Sequence, residues 1–430
     1  MTDQRDQVLV YVADQQPGGP VPVGRLSHVR ARGRDTYSFE YLASWWDGDT
    51  GFPLDPALPL VPGEMHFSSL PGVFRDAAPD RWGQTLLQRR ERLRAQDQGQ
   101  SPRFLGDWEY LLGVDDETRL GAIRLQRPGD NTFIDRDSLP VPPVTGLREL
   151  QAAAGAIQSG EDADERVRSW IRMLLAPGSS LGGARPKATY RDQLGHLWFA
   201  KFPSATDHRD VGAWEHLLCD LAQRAGIEVA DHALLALGSG HHTFAARRFD
   251  RTPAGRRLYC SAMTLAGRSE GEEASYLEIA EAIRRHGHPG HIKEDLSHLF
   301  TRVVFNVLTG NRDDHLRNHG FLHQRDGQGQ GWRLSPAFDL NPSPSSFAHA
   351  LLLDERSALP NIEVVLGTAE WYGLRTRQAE VLIQQVASML RGWRREARAA
   401  GIPGEEVEET AAAFSALRTM GGAGPGSASA

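Results

Sequence analysis

Two spacings of apolar residues divide the chain into a first part with strands and a later part with helices. Near the start, apolar and polar residues alternate over residues 8–12, 24–27 and 37–41, which predicts a small antiparallel sheet. From Ser275 onward apolar residues recur at helical spacing, and we predict helices over residues 276–286, 292–309, 375–399 and 404–420. This pattern is typical of an α+β protein.

Strands and helices alternate more closely in the middle of the chain. The pattern predicts helices over residues 80–96, 147–160, 162–175 and 210–226, and strands over residues 188–191, 196–201, 233–236 and 243–249. Residues 130–143 are rich in Pro and Asp and read as a linker. We therefore predict one domain over residues 1–130 and a second over residues 145–420, whose sheet-bearing half ends near residue 255. The tail, residues 421–430, is mostly Gly, Ala and Ser and is predicted to be disordered.

An acidic motif follows the predicted helix over residues 292–309. In NVLTGNRDDHLRN, residues 306–318, Asp313 stands five positions before Asn318, and Asp339 follows within SPAFDLNP. A protein-kinase centre has this layout: one aspartate near the attacked hydroxyl, with an asparagine and a later aspartate that hold Mg²⁺. Taken alone, the Asp313-Asp314 pair would be interpreted as a solvated turn, and the kinase interpretation needs support from upstream residues.

Two charged residues upstream agree with this interpretation. Lys201 ends the apolar run HLWFAK, where a buried lysine is costly unless an anion such as a nucleotide phosphate meets it. Glu215 flanks the apolar stripe of the helix predicted over residues 210–226, and in kinases such a glutamate orients the lysine. The alternatives are a Lys201 side chain that reaches water from a strand edge and a Glu215 on the helix surface.

A glycine-rich segment, PGSSLGGARPK over residues 177–187, precedes Lys201. Successive glycines let backbone N–H groups approach phosphate oxygens. The segment is neither a Walker A sequence nor the G-x-G-x-x-G of eukaryotic kinases. Alone it would indicate a plain turn, but its place just before the lysine strand fits a phosphate loop.

Together these motifs resemble one family, the HipA-type serine/threonine kinase toxins of bacterial toxin–antitoxin systems. The resemblance covers residues 8–417 in the right order, and its carriers are PGVFRDAAPDRWG (71–83), SLGGARPK (180–187), FAKFPS (199–204), ARRFDR (246–251), NRDDHLRN (311–318) and PAFDLNP (336–342). It implies an α+β bilobal protein-kinase-like fold, with a mixed-sheet amino-terminal lobe, a mainly helical carboxyl-terminal lobe, and ATP and Mg²⁺ between them.

The resemblance also implies a role for each matching residue. Asp313 is the catalytic base, with Asp314 as the alternative one position on, and Asn318 and Asp339 are the Mg²⁺ ligands. Autophosphorylation in the glycine-rich loop, which silences family members, maps onto Ser180, with Ser179 as the alternative. The expected ATP-binding residues are Lys201, Gly182, Gly183, Ala184, Lys187, Glu215, Arg248 and Phe249.

The function that we predict is transfer of the ATP γ-phosphoryl group to a serine or threonine of another protein. Two alternatives stay open: a small-molecule phosphotransferase of related fold, and a non-catalytic partner that stabilises an antitoxin on DNA. By resemblance, the expected partner is a small helix-turn-helix antitoxin (HipB-like), through which alone the chain would reach DNA. An aminoacyl-tRNA synthetase is a candidate protein substrate, because some relatives phosphorylate one.

Composition adds few constraints. The chain has 430 residues, 24% charged and 40% hydrophobic, with a net charge of −7, which argues against independent nucleic-acid binding. A local positive patch stays open, although solvated surface is the expected role for most of six arginines: Arg185, Arg247, Arg248, Arg251, Arg256 and Arg257.

Cysteine, histidine and apolar content bear on location and metals. Two cysteines, Cys219 and Cys260, make no disulfide framework and suggest buried thiols in a reducing compartment. His286, His288 and His291 stand in a Gly/Pro-rich segment without the further ligands that a zinc site needs. With a polar start and no apolar stretch of membrane-spanning length, we expect a cytoplasmic protein that does not enter membranes.

Overall fold

A computed structural model describes residues 5–14, 19–48, 51–134, 141–159, 174, 183, 185–238 and 240–421. The strands are β1 Arg5–Val12, β2 Val21–Ala31, β3 Arg34–Tyr41, β4 Glu64–Phe67, β5 Ile123–Gln126, β6 Lys187–Arg191, β7 Leu197–Lys201, β8 His232–Leu235, β9 Thr243–Arg247, β10 Arg251–Thr252, β11 Gly255–Arg256, β12 Tyr259–Ser261, β13 Gly320–Asp326 and β14 Gly329–Leu334. The predicted α+β class is confirmed.

The helices that the structure describes all begin after strand β3. They are α1 Ala43–Trp46, α2 Gly72–Asp76, α3 Arg81–Asp97, α4 Asp107–Gly113, α5 Leu147–Gln158, α6 Val211–Arg224, α7 Ala262–Leu265, α8 Tyr276–His286, α9 Ile292–Thr309, α10 Ile362–Gly367, α11 Thr376–Leu390, α12 Trp393–Ala399, α13 Gly404–Thr410 and α14 Ser415–Gly421. Short 3₁₀ turns lie at Val144–Gly146, Leu316–Asn318 and Ala369–Tyr372.

The described residues form two compact units. The first unit falls within Met1–Thr206, Leu235–Ser239 and Ala245–Arg268, and the second within Asp207–Leu234, Gly240–Phe244 and Ser269–Ala430. The chain therefore enters each unit more than once. The domain boundaries predicted from the sequence stay a prediction.

The first unit begins with an antiparallel sheet in the order β4-β3-β2-β1-β5. In β1, Val8, Val10 and Val12 are buried while the residues between them are less so, the period-2 pattern of a half-buried strand. The register pairs Val8 with Leu26 and Leu26 with Phe39, which places all three apolar side chains in the core. The three predicted strands of this sheet are confirmed.

A second core of the first unit packs around the hairpin β6–β7. Trp82, Leu86 and Leu87 of α3 join Leu147 and Leu150 of α5 and the apolar face of the hairpin. Strands β6, β7 and the part of β9 at residues 245–247 lie side by side in that order. Because β6 and β7 are antiparallel with Lys187 opposite Lys201, both lysines leave the hairpin on one face.

The second unit is built around α9. Every residue of α9 from Leu299 to Thr309 is buried, as expected for a helix surrounded by other elements. Helices α8, α10 and α11 and the hairpin β13–β14 pack against it. The helix predicted from its apolar stripe thus forms the centre of this unit.

Two predicted helices are wrong in extent, and one hairpin was not predicted. The helix predicted over residues 375–399 is interrupted at Arg391–Gly392, and the one predicted over residues 404–420 is interrupted between Thr410 and Ser415. Hairpin β13–β14 was not predicted, because polar residues and glycines fill the end of β13 and the start of β14. The helix predicted over residues 162–175 and most of the predicted disordered tail lie outside the described residues.

Candidate active site

The acidic loop, residues 310–319, joins α9 to β13. Gly310 ends the helix in the left-handed region with φ 66°, and its N–H donates to the carbonyl oxygen of Asn306. A Cβ added at Gly310 would lie 2.3 Å from the carbonyl oxygen of Ala413. Because only glycine fits there without displacing backbone, the sequence fixes the direction in which the loop leaves the helix.

Asp314 is the buried centre of this loop. Its Oδ2 accepts hydrogen bonds from the Tyr276 hydroxyl (2.6 Å) and from Nδ2 of Asn306 (2.8 Å), and lies 2.7 Å from Nε2 of His319. Burial opposes ionisation, but the charge and hydrogen bond of His319, with the Tyr276 bond, hold the pKa of Asp314 below its usual value. Asp314 therefore stabilises the loop.

Asp313 is exposed although it adjoins this buried residue. Desolvation of its carboxyl raises the pKa of Asp313, and the negative charges of Asp339 and Asp314 raise it further against the opposing effect of His315. A base at Asp314 would have to give up three buried hydrogen-bonding contacts. The geometry therefore favours Asp313 over its neighbour, and its catalytic role stays a prediction.

Asn318 and Asp339 offer oxygen atoms of the kind that Mg²⁺ prefers. Asn318 is buried, its Nδ2 lies 3.4 Å from the carbonyl oxygen of Asp313, and its Oδ1 has no hydrogen-bond donor among the described residues. Asp339 adopts the left-handed region with φ 61°, which is uncommon for a residue with a side chain and typical of functional sites. An unused amide oxygen and a nearby carboxylate fit a divalent cation with oxygen ligands.

Arg312 holds the acidic loop against the segment that follows Asp339. Its Nη1 donates to the carbonyl oxygens of Ser343 (3.2 Å) and Ser346 (2.5 Å), and its Nη2 donates to that of Ala413 (3.2 Å). Arg312 was not predicted as a site residue. Its place between Asn311 and Asp313 in the motif was the available signal.

Two more buried cationic or titratable side chains surround the loop. Arg302 of α9 donates to the carbonyl oxygen of Ser335, and burial lowers the pKa of Arg302 to about 10. His349 is buried, and desolvation lowers its pKa to about 4, with the charge of Arg312 acting in the same direction and that of Asp314 opposing it. His349 is therefore neutral at pH 7.

In the first unit, Lys187 forms a buried ion pair. Its Nζ lies 2.5 Å from Oδ2 of Asp80, with side chains 1% and 3% exposed, and 3.5 Å from the carbonyl oxygen of Gly183. The other oxygen of Asp80 caps α3 by accepting from the N–H of Gly83 (2.9 Å). The ion pair gives a structural role to Asp80, the second acidic residue of the PGVFRDAAPDRWG segment. Lys187 is thus bound to a carboxylate, and its predicted contact with ATP stays a prediction.

Lys201 lies at the end of β7 opposite Lys187. It is 6% exposed, and its Nζ is 5.9 Å from the ring centroid of Phe199. The alternative in which Lys201 reaches water is therefore wrong. Glu215, in the second unit, is 2% exposed, so the alternative of a surface acid on α6 is wrong as well. Their roles toward phosphate stay predictions.

Arg248 is buried in a network that belongs to the first unit. Its guanidinium bonds both carboxylate oxygens of Asp250 (2.7 and 2.6 Å) and the carbonyl oxygen of Thr118 (2.9 Å). Phe249 is half-buried, with its ring 6.2 Å from that of Tyr259. The expected ATP contacts of Arg248 and Phe249 stay predictions, and the Arg248 guanidinium already has these protein partners.

The expectation of solvated arginines is wrong for three of the six. The side chains of Arg248, Arg251 and Arg256 are only 2%, 15% and 14% exposed, each paired with Asp250 or Asp116. These charges are neutralised locally. Of the predicted phosphate loop, Gly183 is described with φ 89°, whereas Ser179, Ser180, Gly182 and Ala184 lie outside the described residues.

The mixed α+β fold and its acidic loop place the chain in a class of proteins with kinase-like architecture. It belongs to the HipA family. The family description "HipA-like C-terminal domain" matches residues 179–393, and "HipA N-terminal domain" matches residues 19–103. The family expected from the sequence motifs is confirmed.

Solved structures resemble the chain at the level of the fold. The HipA chain in the Shewanella oneidensis MR-1 toxin–antitoxin complex of HipA, HipB and operator DNA aligns with a TM-score of 0.65 at 18% identity, covering 96% of each chain. The Helicobacter pylori proinflammatory kinase CtkA aligns over 55% of this chain and 95% of its own at 14% identity, with a TM-score of 0.36 that is too low to carry an argument. The predicted HipA-like fold is confirmed.

One curated relative matches in sequence. A Haemophilus influenzae protein, named only provisionally as a kinase, is 26% identical over 167 aligned positions, and the match covers 35% of this chain. The match spans about half, 47%, of that relative. Among the described residues, no helix has both the length and the apolar character needed to cross a membrane.

Proposed function

We propose that this chain is a serine/threonine protein kinase that transfers the γ-phosphoryl group of ATP to a protein hydroxyl. One observation carries the proposal: the two adjacent aspartates of the acidic loop have opposite environments. The carboxylate of Asp314 makes three buried contacts. Asp313 is exposed, and its pKa is raised by desolvation and by the negative charge of Asp339. An outward carboxylate, beside an asparagine with an unused oxygen, suits positioning of an attacking hydroxyl near a metal-bound phosphate.

The residues would share the work as follows. Asp313 accepts a hydrogen bond from the attacking hydroxyl, orients it and takes its proton. Asn318 and Asp339 would hold Mg²⁺, which supplies charge neutralisation for the phosphates when bound. Lys201 would bind the phosphates, and Glu215 would assist it.

The glycine-rich loop would cover the nucleotide with the backbone of Gly182, Gly183 and Ala184. Because the Lys187 ammonium contacts both Asp80 and the carbonyl oxygen of Gly183, we propose that Lys187 holds this loop in position. Arg248 and Phe249 would meet the nucleotide through backbone and ring. Phosphorylation of Ser180, or of Ser179, would add about two negative charges where anionic phosphates bind, and so silence the enzyme.

The partners are proposals drawn from the relatives. Because the aligned Shewanella structure contains HipA, HipB and operator DNA, we propose a HipB-like helix-turn-helix antitoxin as partner and DNA contact through it. The protein substrate, an aminoacyl-tRNA synthetase among the candidates, would be modified in the cytoplasm. A toxin role follows only if that modification stops growth.

Mass spectrometry after incubation with ATP and Mg²⁺ tests the activity. Intact mass and phosphosite mapping would compare the unchanged chain with Asp313→Asn and Asp339→Asn, with Asp326→Asn as a control at an exposed acid of the same unit. We expect phosphate at Ser180 or Ser179 in the unchanged and control proteins, and at least about a 100-fold lower rate in the two site variants.

Three other outcomes would change the proposal in different ways. Equal phosphorylation of Asp313→Asn would remove the base assignment. Nucleotide binding without any protein phosphorylation, combined with turnover of a small hydroxyl compound, would replace the proposal by small-molecule phosphotransfer. Absence of nucleotide binding in a folded protein would end the kinase proposal altogether.

A further inference from the structure

Helix α6 and strand β8 bring together two histidines and an aspartate that the proposed reaction does not use. His216 and Asp220 lie one turn apart on α6, and His232 begins β8. One ligand atom from each of the three residues lies within 4.8 Å of the other two. We propose that His216, Asp220 and His232 bind a divalent transition-metal ion, with Zn²⁺ as the ion that suits this ligand set best.

The separations between the ligand atoms fit one ion. Nε2 of His232 lies 3.0 Å from Oδ1 of Asp220, and Nε2 of His216 lies 3.7 Å from Oδ2. Ligands at about 2.0–2.1 Å from a tetrahedral zinc are about 3.3 Å from each other. The two observed distances run to different oxygens of Asp220, so a rotation of its carboxylate would be needed to bring one oxygen and both imidazole nitrogens onto one ion. Asp220, 50% exposed, leaves the fourth position open to water.

The hydrogen bond behind His232 sets its tautomer. Nδ1 of His232 lies 3.0 Å from the carbonyl oxygen of Ala230, which can only accept, so Nδ1 carries the proton. This contact directs Nε2 of His232 toward the carboxylate of Asp220, so a cation shared by the two groups would lie between them. A backbone carbonyl behind the imidazole is also the usual outer partner of a zinc-bound histidine.

The second imidazole favours a metal ion over a proton as that cation. One imidazolium at His232 would satisfy Asp220 alone and would repel a second one at His216, whose ring centroid is 5.0 Å away. Nδ1 of His216 is buried without a hydrogen-bond partner in the described part of the chain. A metal ion can be shared by both imidazoles and the carboxylate, whereas a single proton bridges only one imidazole and the carboxylate.

A second cluster of the same composition lacks the free lone pair. His288, His291 and Asp326 also lie within ligand distance of one another. There, however, the N–H of Gly290 donates to Nδ1 of His288 (3.3 Å), so Nε2 carries the proton and points to the carbonyl oxygen of Gly329 (3.1 Å). His288 is thus used by the backbone, and the cluster provides a matched control.

The bound ion would fasten α6 to β8 within the second unit. Because an ion that binds only the folded state stabilises it, the melting temperature of the protein would rise with metal concentration. The site is independent of the proposed phosphoryl transfer, and the two can fail separately.

Metal titration of the full-length chain, untagged and treated with chelator, tests the site. Co²⁺ would be followed by its visible absorption and Zn²⁺ by competition with a chromogenic chelator, with metal content measured after dialysis. We expect one ion per chain. Affinity should fall at least about 10-fold in His232→Ala and in Asp220→Asn and stay unchanged in His291→Ala. The exposed Asp220 keeps the test valid if His232→Ala misfolds.

Three results would overturn the site. The first is no binding of either ion by the unchanged chain, which would leave a protonated histidine as the cation. The second is equal affinity in Asp220→Asn. The third is loss of binding in His291→Ala alone, which would move the metal to the other cluster.

Discussion

At the scale of single residues, two neighbouring aspartates of the acidic loop differ in role: we propose a catalytic role for Asp313 and a structural role for Asp314. The carboxylate of Asp314 meets three buried groups, from Tyr276, Asn306 and His319, whereas that of Asp313 is exposed. A buried donor that loses its acceptor costs about 1–3 kcal/mol. The two aspartates should therefore respond to substitution in opposite ways.

Asp314→Ala should destabilise the fold, because it leaves several buried groups without their acceptor. We expect the free energy of unfolding to fall by about 3–5 kcal/mol. Asp313→Asn should leave it within about 0.5 kcal/mol while lowering phosphoryl transfer by about 10²–10⁴-fold. Denaturant unfolding and a kinase assay measure the two effects. A stable Asp314→Ala protein would show that the network contributes little.

His349 predicts a pH dependence of stability. Its folded-state pKa is about 4, whereas an unfolded histidine titrates near 6.5. Between about pH 6.5 and pH 4, His349 is therefore protonated in the unfolded chain and neutral in the folded chain. Its contribution to the free energy of unfolding is complete above about pH 6.5 and is lost as the pH falls toward 4. The loss should be about 2 kcal/mol by pH 5.

Substitution by a residue that does not titrate isolates this effect. The difference in unfolding free energy between the unchanged protein and His349→Leu should shrink by about 2 kcal/mol between pH 7.5 and pH 5. Urea unfolding at several pH values measures it. A difference that is independent of pH would mean that His349 takes up its proton in the folded state.

Only part of the site could be read from single residues in the sequence. The order of Lys201, Glu215, Asp313, Asn318 and Asp339 was visible because it follows the order of residues in a kinase centre. The support was not visible, because its partners are distant in sequence: Asp80 and Lys187 are 107 positions apart, and Tyr276 and Asp314 are 38 apart. No local sequence pattern predicts a contact between residues so far apart in the chain.

At the scale of elements, the Asp80–Lys187 ion pair joins the start of α3 to hairpin β6–β7. Asp80 serves both elements at once, since one oxygen caps the helix and the other meets the lysine. Removing one member of a buried pair leaves an uncompensated charge, which costs more than replacing both.

Asp80→Asn should therefore lower the free energy of unfolding by about 3–5 kcal/mol. The double variant Asp80→Asn with Lys187→Met should recover much of that loss, because methionine fills similar space without a charge. Denaturant unfolding of the four proteins of this cycle measures the coupling. Additive losses would show that the two side chains act independently.

Predicted elements were right where the ends carry their own signals. Helix α8 starts at the capping box of Ser275 and Glu278, α9 ends at Gly310, and both match their predicted bounds. Hairpin β13–β14 was missed because residues 324–331, QRDGQGQG, carry no apolar residue, although they include the end of β13 and the start of β14. The interruption at Arg391–Gly392 carries one glycine, too weak a signal to break a long apolar stripe.

At the scale of the whole molecule, each compact unit holds one of the two cysteines. Cys260 lies in the first unit and Cys219 in the second, and both are buried. Burial raises the pKa of the Cys260 thiol, with the charge of Asp76 adding to the effect. Neither thiol should react with a reagent in solution until its own unit opens.

Thiol labelling with single-cysteine variants would follow each unit separately. In native buffer, Cys219 and Cys260 should each react at least about 10³-fold more slowly than a free thiol, because reaction needs an opening that costs several kcal/mol. Mass spectrometry during a denaturant series gives both opening free energies. Rapid labelling of either cysteine in native buffer would contradict the burial of that residue.

The discontinuous path of the first unit has a consequence for the order in which a ribosome delivers it. Buried Asp76 accepts from the backbone N–H and the hydroxyl of Ser261, and buried Asp250 accepts from the N–H of Gly121. The amino-terminal sheet thus leaves the ribosome long before these partners exist. Because unsatisfied buried groups destabilise a fold, the nascent chain should remain open to chaperones until residues 245–268 have been synthesised. Stalled chains that end before residue 245 should therefore be sensitive to protease, and those that carry residue 268 well clear of the exit tunnel should resist it.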